Sequence, residues 1–160
     1  MRRPEPGPPV PVIYGAVEGV GVGDTFDTRA ELRRAGLHRP LINGISGSGE
    51  AGAESIVLSG GYVDDEDHGD RIVYTGAGGR DPETGRQVKD QAFERQNRAL
   101  QVSCETGAPV RVVRGHGSRP HGPPFGYRYD GLWRVVRAWT EPGHDGFTVC
   151  RFELVPLADD

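Results

Sequence analysis

Residues 59–81, SGGYVDDEDHGDRIVYTGAGGRD, leave the backbone few choices. Glycine clusters at Gly60-Gly61 and Gly76 to Gly79 end any regular element that reaches them, and a run of acids fills the turn between. The segment reads as a strand ending at Gly60-Gly61, an acidic turn, a short strand over residues 71–75 and a glycine-rich loop. Tyr62 and Tyr74 then fall at the two ends of one loop and face each other across it. Between them lies Asp65, a hydrogen-bond acceptor, and the neighbouring residues are too small to block a planar guest. This is the composition of a pocket for a flat, polar ring.

The rest of the chain is equally rich in turns. Of 160 residues, 25 are glycine and 13 proline, so many elements are expected to be short strands. The length suits one domain with its own core. No apolar run approaches the ~18 residues of a membrane span. The opening MRRPEPGPPVPV places prolines where a signal peptide needs an apolar helix. Residues 1–12 are therefore expected to be a flexible tail ahead of a domain over residues 13–157, in a cytoplasmic protein. Cys104 and Cys150 have no CxxC partner and are expected as buried free thiols on strands, not as a zinc site.

A formal net charge of −4 argues against indiscriminate nucleic-acid binding. Its distribution is uneven. Arg111, Arg114, Arg119, Arg128, Arg134 and Arg137, with His116 and His121, face a single acid, Asp130, across residues 111–137. Such a segment suits phosphate binding on one face; the solvated faces of ordinary strands have the same composition.

Along the chain, YGAVEGVGVG has no following βαβ unit and is not a dinucleotide fingerprint. Thr28 and Glu31 form a capping box for a helix that Gly36 stops. HRPLINGISGSGEAGAE reads as an exposed loop, and residues 55–58 as a buried strand. After a PETGRQ turn with Arg86 projecting near Gly85, a second helix is expected over residues 88–100. Strands are expected over residues 101–104, 110–114, 127–138 and 146–155, the last with Phe147, Val149 and Phe152 inward. Asp130 and Gly131 are expected to make a turn, with Trp133 packed inward. The fold class is α+β, a curved, barrel-like sheet with two main helices. Asp64, Asp65, Asp67 and His68 also suit a divalent metal, although an ordinary acidic turn contains the same residues.

Several of these segments, in order and near-register, resemble the SRA (SET- and RING-associated) domain, also called YDG. They are HRPLINGISG, GGYVDDEDHGDRIVYTGAGGRD, NRAL, PVRVVRG and YRYDGLWRV, which carries Tyr129-Asp130-Gly131. The resemblance covers roughly residues 15–155. It implies a saddle-shaped sheet that binds duplex DNA and flips a 5-methylcytosine into a pocket. Tyr62 and Tyr74 would sandwich the base, and Asp65 would accept from the cytosine N4 amine. Ser59, Gly60 and Thr75 would meet other ring atoms through their main chains, with Ala77 near the 5-methyl group. Ile42 and the loop of Gly85, Arg86 and Gln87 would enter the duplex. A phosphate clamp would come from Arg39, Arg111, Arg114, Arg119 and Arg128.

Relatives that read hemimethylated CpG have asparagine in that finger, which is missing here, so no CpG preference is implied. The small Ala77 leaves room for a 5-hydroxymethyl group. The expected function is a non-enzymatic, nucleoid-associated reader with no cofactor and no metal, His68 ordering its loop. The alternative is the recognition part of a modification-dependent endonuclease whose nuclease acts in trans. An RNA-binding module on a related barrel is a third reading, from fold analogy.

Overall fold

The computed structural model describes residues 11–157, so ten residues of the expected N-terminal tail lie outside the described part. The first elements are a two-residue strand β1 (Thr25–Phe26) and a short helix α1 (Arg29–Arg34). Thr28 Oγ1 accepts from the Glu31 N–H at 3.2 Å, and the Glu31 carboxylate reaches back to the Asp27 N–H at 2.8 Å. Gly36, at φ +82°, ends the turn that follows.

The remaining strands make up the main sheet path. They are β2 (Ile45–Ser48), β3 (Gly52–Leu58), β4 (Glu66–Asp67), β5 (Ile72–Thr75), β6 (Val110–Gly115), β7 (Tyr127–Pro142) and β8 (Thr148–Pro156). Their order across the sheet is β2-β3-β6-β7-β8-β5-β4, with β1 added on β7. Only β3 and β6 run parallel, and the chain between them contains the helix α2 (Arg95–Thr106).

Central strands β3 and β6 are buried along their whole length, although Glu54 and Ser55 interrupt the apolar residues of one and Arg111 and Arg114 those of the other. Ile56, Leu58, Val110, Val112, Trp133 and Val135 face one core with Leu100 of α2. Val57, Val113 and Tyr129 face a second, smaller core with Leu32 and Leu37. Phe93 meets Phe152 edge-on, with ring centroids 5.8 Å apart. Phe147, expected inward, is exposed, whereas Val149 and Phe152 are buried.

The Asp130-Gly131 pair makes a bulge inside a continuous strand, not a turn. Arg111 pairs with Leu132 and Val113 with Tyr129, so two residues of β7 oppose Val112. Gly131 supplies the required positive φ of +89°, and a second register shift follows between Val135 and Arg137. Bulges bend and twist the strand that carries them. The sheet is accordingly curved but does not close, with β2 and β4 at its ends.

Two other expectations are corrected. The second helix starts at Arg95, seven residues later than expected, and runs through the supposed strand 101–104 to Gly107. Tertiary bonds claim the segment before it: the Val88 N–H donates to Gly79 O, and the Gln91 N–H to Thr148 O, each at 2.8 Å. Cys104 is consequently a half-buried helix residue, while Cys150 is buried on β8, and both are free thiols. The supposed exposed loop 38–54 contains β2 and the start of β3. Glu54 is fully buried there because Arg39 and Ser46 satisfy its carboxylate, at 2.5 and 2.8 Å.

One buried network ties the β4 end of this sheet to its middle. Arg114 of β6 donates from Nε and Nη2 to both Asp67 oxygens on β4 at 2.8 Å, and from Nη1 to Asp130 of β7 at 2.9 Å. Arg128 binds the same Asp130 at 2.6 and 2.9 Å. Strands β4 and β6 are not neighbours in the sheet, so this arginine spans a gap that backbone pairing leaves open. Truncating one member of a buried charged network leaves the others uncompensated, at a cost of about 3–5 kcal/mol. Urea denaturation of Arg114→Ala is expected to show a loss of that size, whereas the exposed Arg119→Ala should stay within ~0.5 kcal/mol of wild type.

Candidate functional site

Tyr62 and Tyr74 line one cavity of about 290 Å³, together with Ile42, Asn43, Gly44, Ser59, Ala77 and Arg80. This size lies at the lower end of small-ligand sites and suits a guest of single-base dimensions. Tyr74 is contributed by β5 and is buried, its hydroxyl donating to Val57 O at 3.2 Å. Gly44 has no side chain for a steric reason: a Cβ there would collide with the Tyr74 hydroxyl. Tyr62 sits in the loop after β3, where Gly60 and Gly117 approach so closely that a Cβ on either would strike the other loop's main chain.

The wall at Ala77 is held by two amides. Asn97 accepts from the Ala77 N–H at 2.7 Å and donates to Ala77 O at 2.9 Å. Gln91 donates to Gly76 O at 2.8 Å and accepts from the Cys150 N–H at 2.9 Å. The glycine-rich loop is thus fixed in place by side chains of the α2 region. Asn97 stands in the NRAL segment, and a polar residue on an otherwise apolar helix face was the available signal. Gln91 had none.

Asp65 lines a neighbouring cavity of about 280 Å³ that shares Tyr62 and is bordered by Gly60, Ser118 and Arg119. Its Oδ1 accepts from the Thr75 N–H at 2.7 Å. Two buried arginines anchor the chain on either side of it. Arg151 donates to Asp64 O, to Thr75 Oγ1 at 2.8 Å and to Glu66 at 2.8 Å, while Arg114 holds Asp67. Burial pushes the Asp65 carboxyl up to about 6, against the opposing pull of the Thr75 hydrogen bonds and the Arg151 charge. Ser59, Tyr62, Tyr74 and Ala77 thus line one of two adjoining cavities, Gly60, Tyr62 and Asp65 line the other, and Thr75 is bonded to Asp65 behind it.

The loop carrying Ile42 is braced from behind. Arg29 donates to Pro40 O at 2.9 Å, to Asn43 O at 2.6 Å and to Ile42 O at 3.3 Å. His38 is fully buried, and burial lowers its pKa to about 4, so its ring is neutral. Its Nε2 lies 2.8 Å from Asn43 O, which can only accept. The proton is therefore on Nε2, and Nδ1 accepts from Ser55 Oγ at 2.7 Å. Ile42 itself is 88% exposed, an apolar tip on a rigid loop. Neither Arg29 nor His38 was singled out as a functional residue from sequence.

On the second loop, Arg86 is exposed beside Gly85 at φ +72°. Gln87 is not available to a duplex. It is buried, and its amide donates to Gly78 O and Lys89 O at 2.8 Å, because it closes the base of the loop.

The expected phosphate clamp needs a larger correction. Arg111 is fully buried and donates to Leu37 O, Ile13 O and Gly15 O. Arg114 is enclosed by its two aspartates, and Arg39 is paired with Glu54. Arg128 is partly exposed but bound to Asp130 and His121 O. Of the five, Arg119 alone is both exposed and outside an ion pair among the described residues. The metal alternative also fails on geometry. Asp64 accepts from the His144 N–H, Asp67 binds Arg114 and His68 lies 3.3 Å from Glu66, with no metal-holding cluster among the described residues.

Comparison with known proteins fits this arrangement. The family model described as the SAD/SRA domain matches residues 13–160. The chain belongs to the SAD/SRA family. This SAD/SRA domain is 43% identical over 157 residues to the E3 ubiquitin-protein ligase ORTHRUS 2 of Arabidopsis thaliana, covering 92% of this chain but 24% of that protein. Among solved structures, it superimposes on the modification-dependent TagI restriction endonuclease with a TM-score of 0.91 and 45% identity, over 94% of this chain and 54% of that one. An SRA domain of SUVH5 in complex with fully methylated CG DNA matches with a TM-score of 0.78 and 41% identity, over 92% of this chain and 96% of that one. The domain spans about a quarter of the ORTHRUS 2 length and about half of the TagI chain.

The raised Asp65 value has a measurable consequence. A folded-state carboxyl at about 6, against 3.8 for an ordinary aspartate, binds more protons folded than unfolded between those values. The folded domain is thus favoured below that window and loses stability as pH rises through it. Relative to Asp65→Asn, the wild-type unfolding free energy is expected to fall between pH 4 and about 6, as read by denaturant titration across that range.

Proposed function

We propose that this SAD/SRA domain reads 5-methylcytosine in duplex DNA by holding the base, turned out of the helix, between Tyr62 and Tyr74. The observation that carries the reading is the shared cavity of these two rings, with the Asp65 carboxyl beside it. The SUVH5 SRA complex with methylated DNA supports it by likeness. Turning a base out costs a few kcal/mol of pairing and stacking. Stacking on an aromatic face returns roughly 1–3 kcal/mol, so two rings offset that cost.

Asp65, ionised above about 6, accepts from the cytosine N4 amine, whereas thymine presents an oxygen there and is repelled. The main chains at Ser59, Gly60 and Thr75 address the remaining ring edge, and Ala77 leaves space at the 5-position. Ile42 and Arg86 enter the duplex from their two braced loops, and Arg119, bordering the Asp65 cavity, contacts phosphate. One methyl in a fitted apolar contact is worth about 10- to 200-fold, so the preference over plain cytosine is finite.

Titrating one labelled duplex, plain or with a single 5-methylcytosine, tests this at fixed salt. Wild type is expected to favour the methylated form by about tenfold or more, and Asp65→Ala to lose that preference. Equal, salt-sensitive binding of both duplexes by wild type would sink the reading.

A second reading rests on the likeness to TagI: the domain is the recognition part of a modification-dependent endonuclease whose cleavage comes from a separate nuclease. In both readings the domain by itself leaves methylated plasmid intact in magnesium. Agarose electrophoresis after incubation checks this, and cleavage that depends on 5-methylcytosine would require a nuclease centre within these residues.

A further inference from the structure

Arg80 stands at the junction of the two loops that the base-flipping reading needs. Its guanidinium carbon lies 4.1 Å from the centroid of the Tyr62 ring, a cation–π contact. Its Nη2 donates to Gly61 O at 2.8 Å, one residue before that ring. Its Nε donates to Gly85 O at 2.9 Å, at the tip of the loop that presents Arg86. Its hydrogen bonds therefore go to main-chain carbonyls of two different loops and not to a carboxylate.

The loop beyond it is built as a rigid unit. Arg80 and Gln87 form an isolated bridge at its base, and Asp81 accepts from the Glu83 N–H at 2.9 Å and, through its carbonyl, from the Gly85 N–H at 2.8 Å. The Gln87 N–H is held by Asp145 at 2.9 Å. Arg80 thus joins this loop to Tyr62 directly, beside a longer route from Gln87 through Asp145 and His144 to Asp64.

We infer that Arg80 is a positioning residue that couples the Tyr62 stacking face to the Gly85-Arg86 finger, so that base capture and finger insertion occur as one event. The inference rests on the base-pocket reading and adds to it a residue that borders the same cavity but acts through Tyr62 and the finger loop, not through a phosphate. Only a guanidinium can do this. Its planar fork lies on the ring and donates in two directions, whereas lysine keeps the charge but provides a point donor.

The test compares wild type, Arg80→Lys, Arg80→Ala, Arg86→Ala and the Arg80→Lys/Arg86→Ala double variant on plain and singly 5-methylated duplexes at several salt concentrations. Urea unfolding of each variant accompanies the titrations. Arg80→Lys is expected to unfold like wild type, to lose about tenfold in affinity for the methylated duplex, and to keep wild-type affinity for the plain one. Its salt dependence should be unchanged, because the charge is retained. In the Arg80→Lys background, Arg86→Ala should cost less than it does alone, the mark of coupled residues.

Wild-type affinity in Arg80→Lys, or additive losses in the double variant, would overturn the inference while leaving the pocket reading intact. So would an equal loss on both duplexes by Arg80→Ala, with a shallower salt dependence restored by lysine, since that is the signature of a phosphate contact. A wild type without methyl preference removes the base-pocket reading itself, and the coupling with it.

Discussion

The bond set between Arg114, Asp67 and Asp130 determines more of this structure than any single apolar contact. An eight-stranded sheet that curves without closing has ends that its own backbone pairing leaves free. Strand β4 is two residues long and paired only with β5, too little to fix its position. Arg114 fixes it from the middle of the sheet, with both Asp67 oxygens engaged and side-chain exposures of 6% and 7%. A bidentate guanidinium–carboxylate pair specifies orientation as well as distance. Because Asp67 lies two residues beyond Asp65, the same bond sets where the Asp65 carboxyl points. Arg151 does the equivalent from the other side, through Asp64 and Glu66. The acid of the site is therefore suspended between two buried arginines.

That arrangement explains the electrostatics of Asp65. Its neighbours in sequence are all acidic, but two of them, Glu66 and Asp67, are neutralised by the anchoring arginines. Burial then dominates its titration and raises it to about 6. A protein selected for stability alone would not keep a half-desolvated carboxyl without a direct cationic partner. Sites that bind polar guests commonly retain such groups at a cost in stability. On the proposed base-pocket reading, an exocyclic amine adds a donor to those that Thr75 already supplies.

Much of the central region was legible because its constraints are local. The capping box of Thr28 and Glu31, the glycine stops around residues 60 and 78, and the apolar runs of β3 and β6 all act within a few residues. Helix α2 was misplaced because the bonds that keep residues 87–91 extended come from Gly79, Asp145 and Thr148, up to 58 positions away. The same holds for the bulge at Asp130-Gly131. Sequence shows a turn-forming pair, and only the register against β6 shows that the strand continues through it. Tyr62, Tyr74 and Asp65 stood out since their chemistry is concentrated in one loop. Gln91 and Arg29 act at long range on main-chain atoms with nothing in their local pattern to announce it, whereas Asn97 at least stood out as a polar residue on an apolar helix face.

The arginines between residues 111 and 128 bear on how such a domain recognises its target. Read as a string, they form a basic segment; folded, Arg111 is fully buried and Arg114 and Arg128 are paired with aspartates. A charge that is neutralised internally adds little to the field outside. Buried or paired, these three add little positive potential outside, on a chain whose formal net charge is −4, whereas the exposed Arg86, Arg119, Arg134 and Arg137 are in no ion pair among the described residues. Non-specific DNA affinity grows with the number of phosphates neutralised. Arg111, Arg114 and Arg128 contribute little to it. On the proposed base-pocket reading, occupation of the tyrosine-lined cavity supplies binding free energy that these three arginines do not. On that reading, affinity for a duplex without a suitable base comes from the exposed arginines and falls steeply with salt, while a base suited to the cavity adds stacking free energy that salt screens far less.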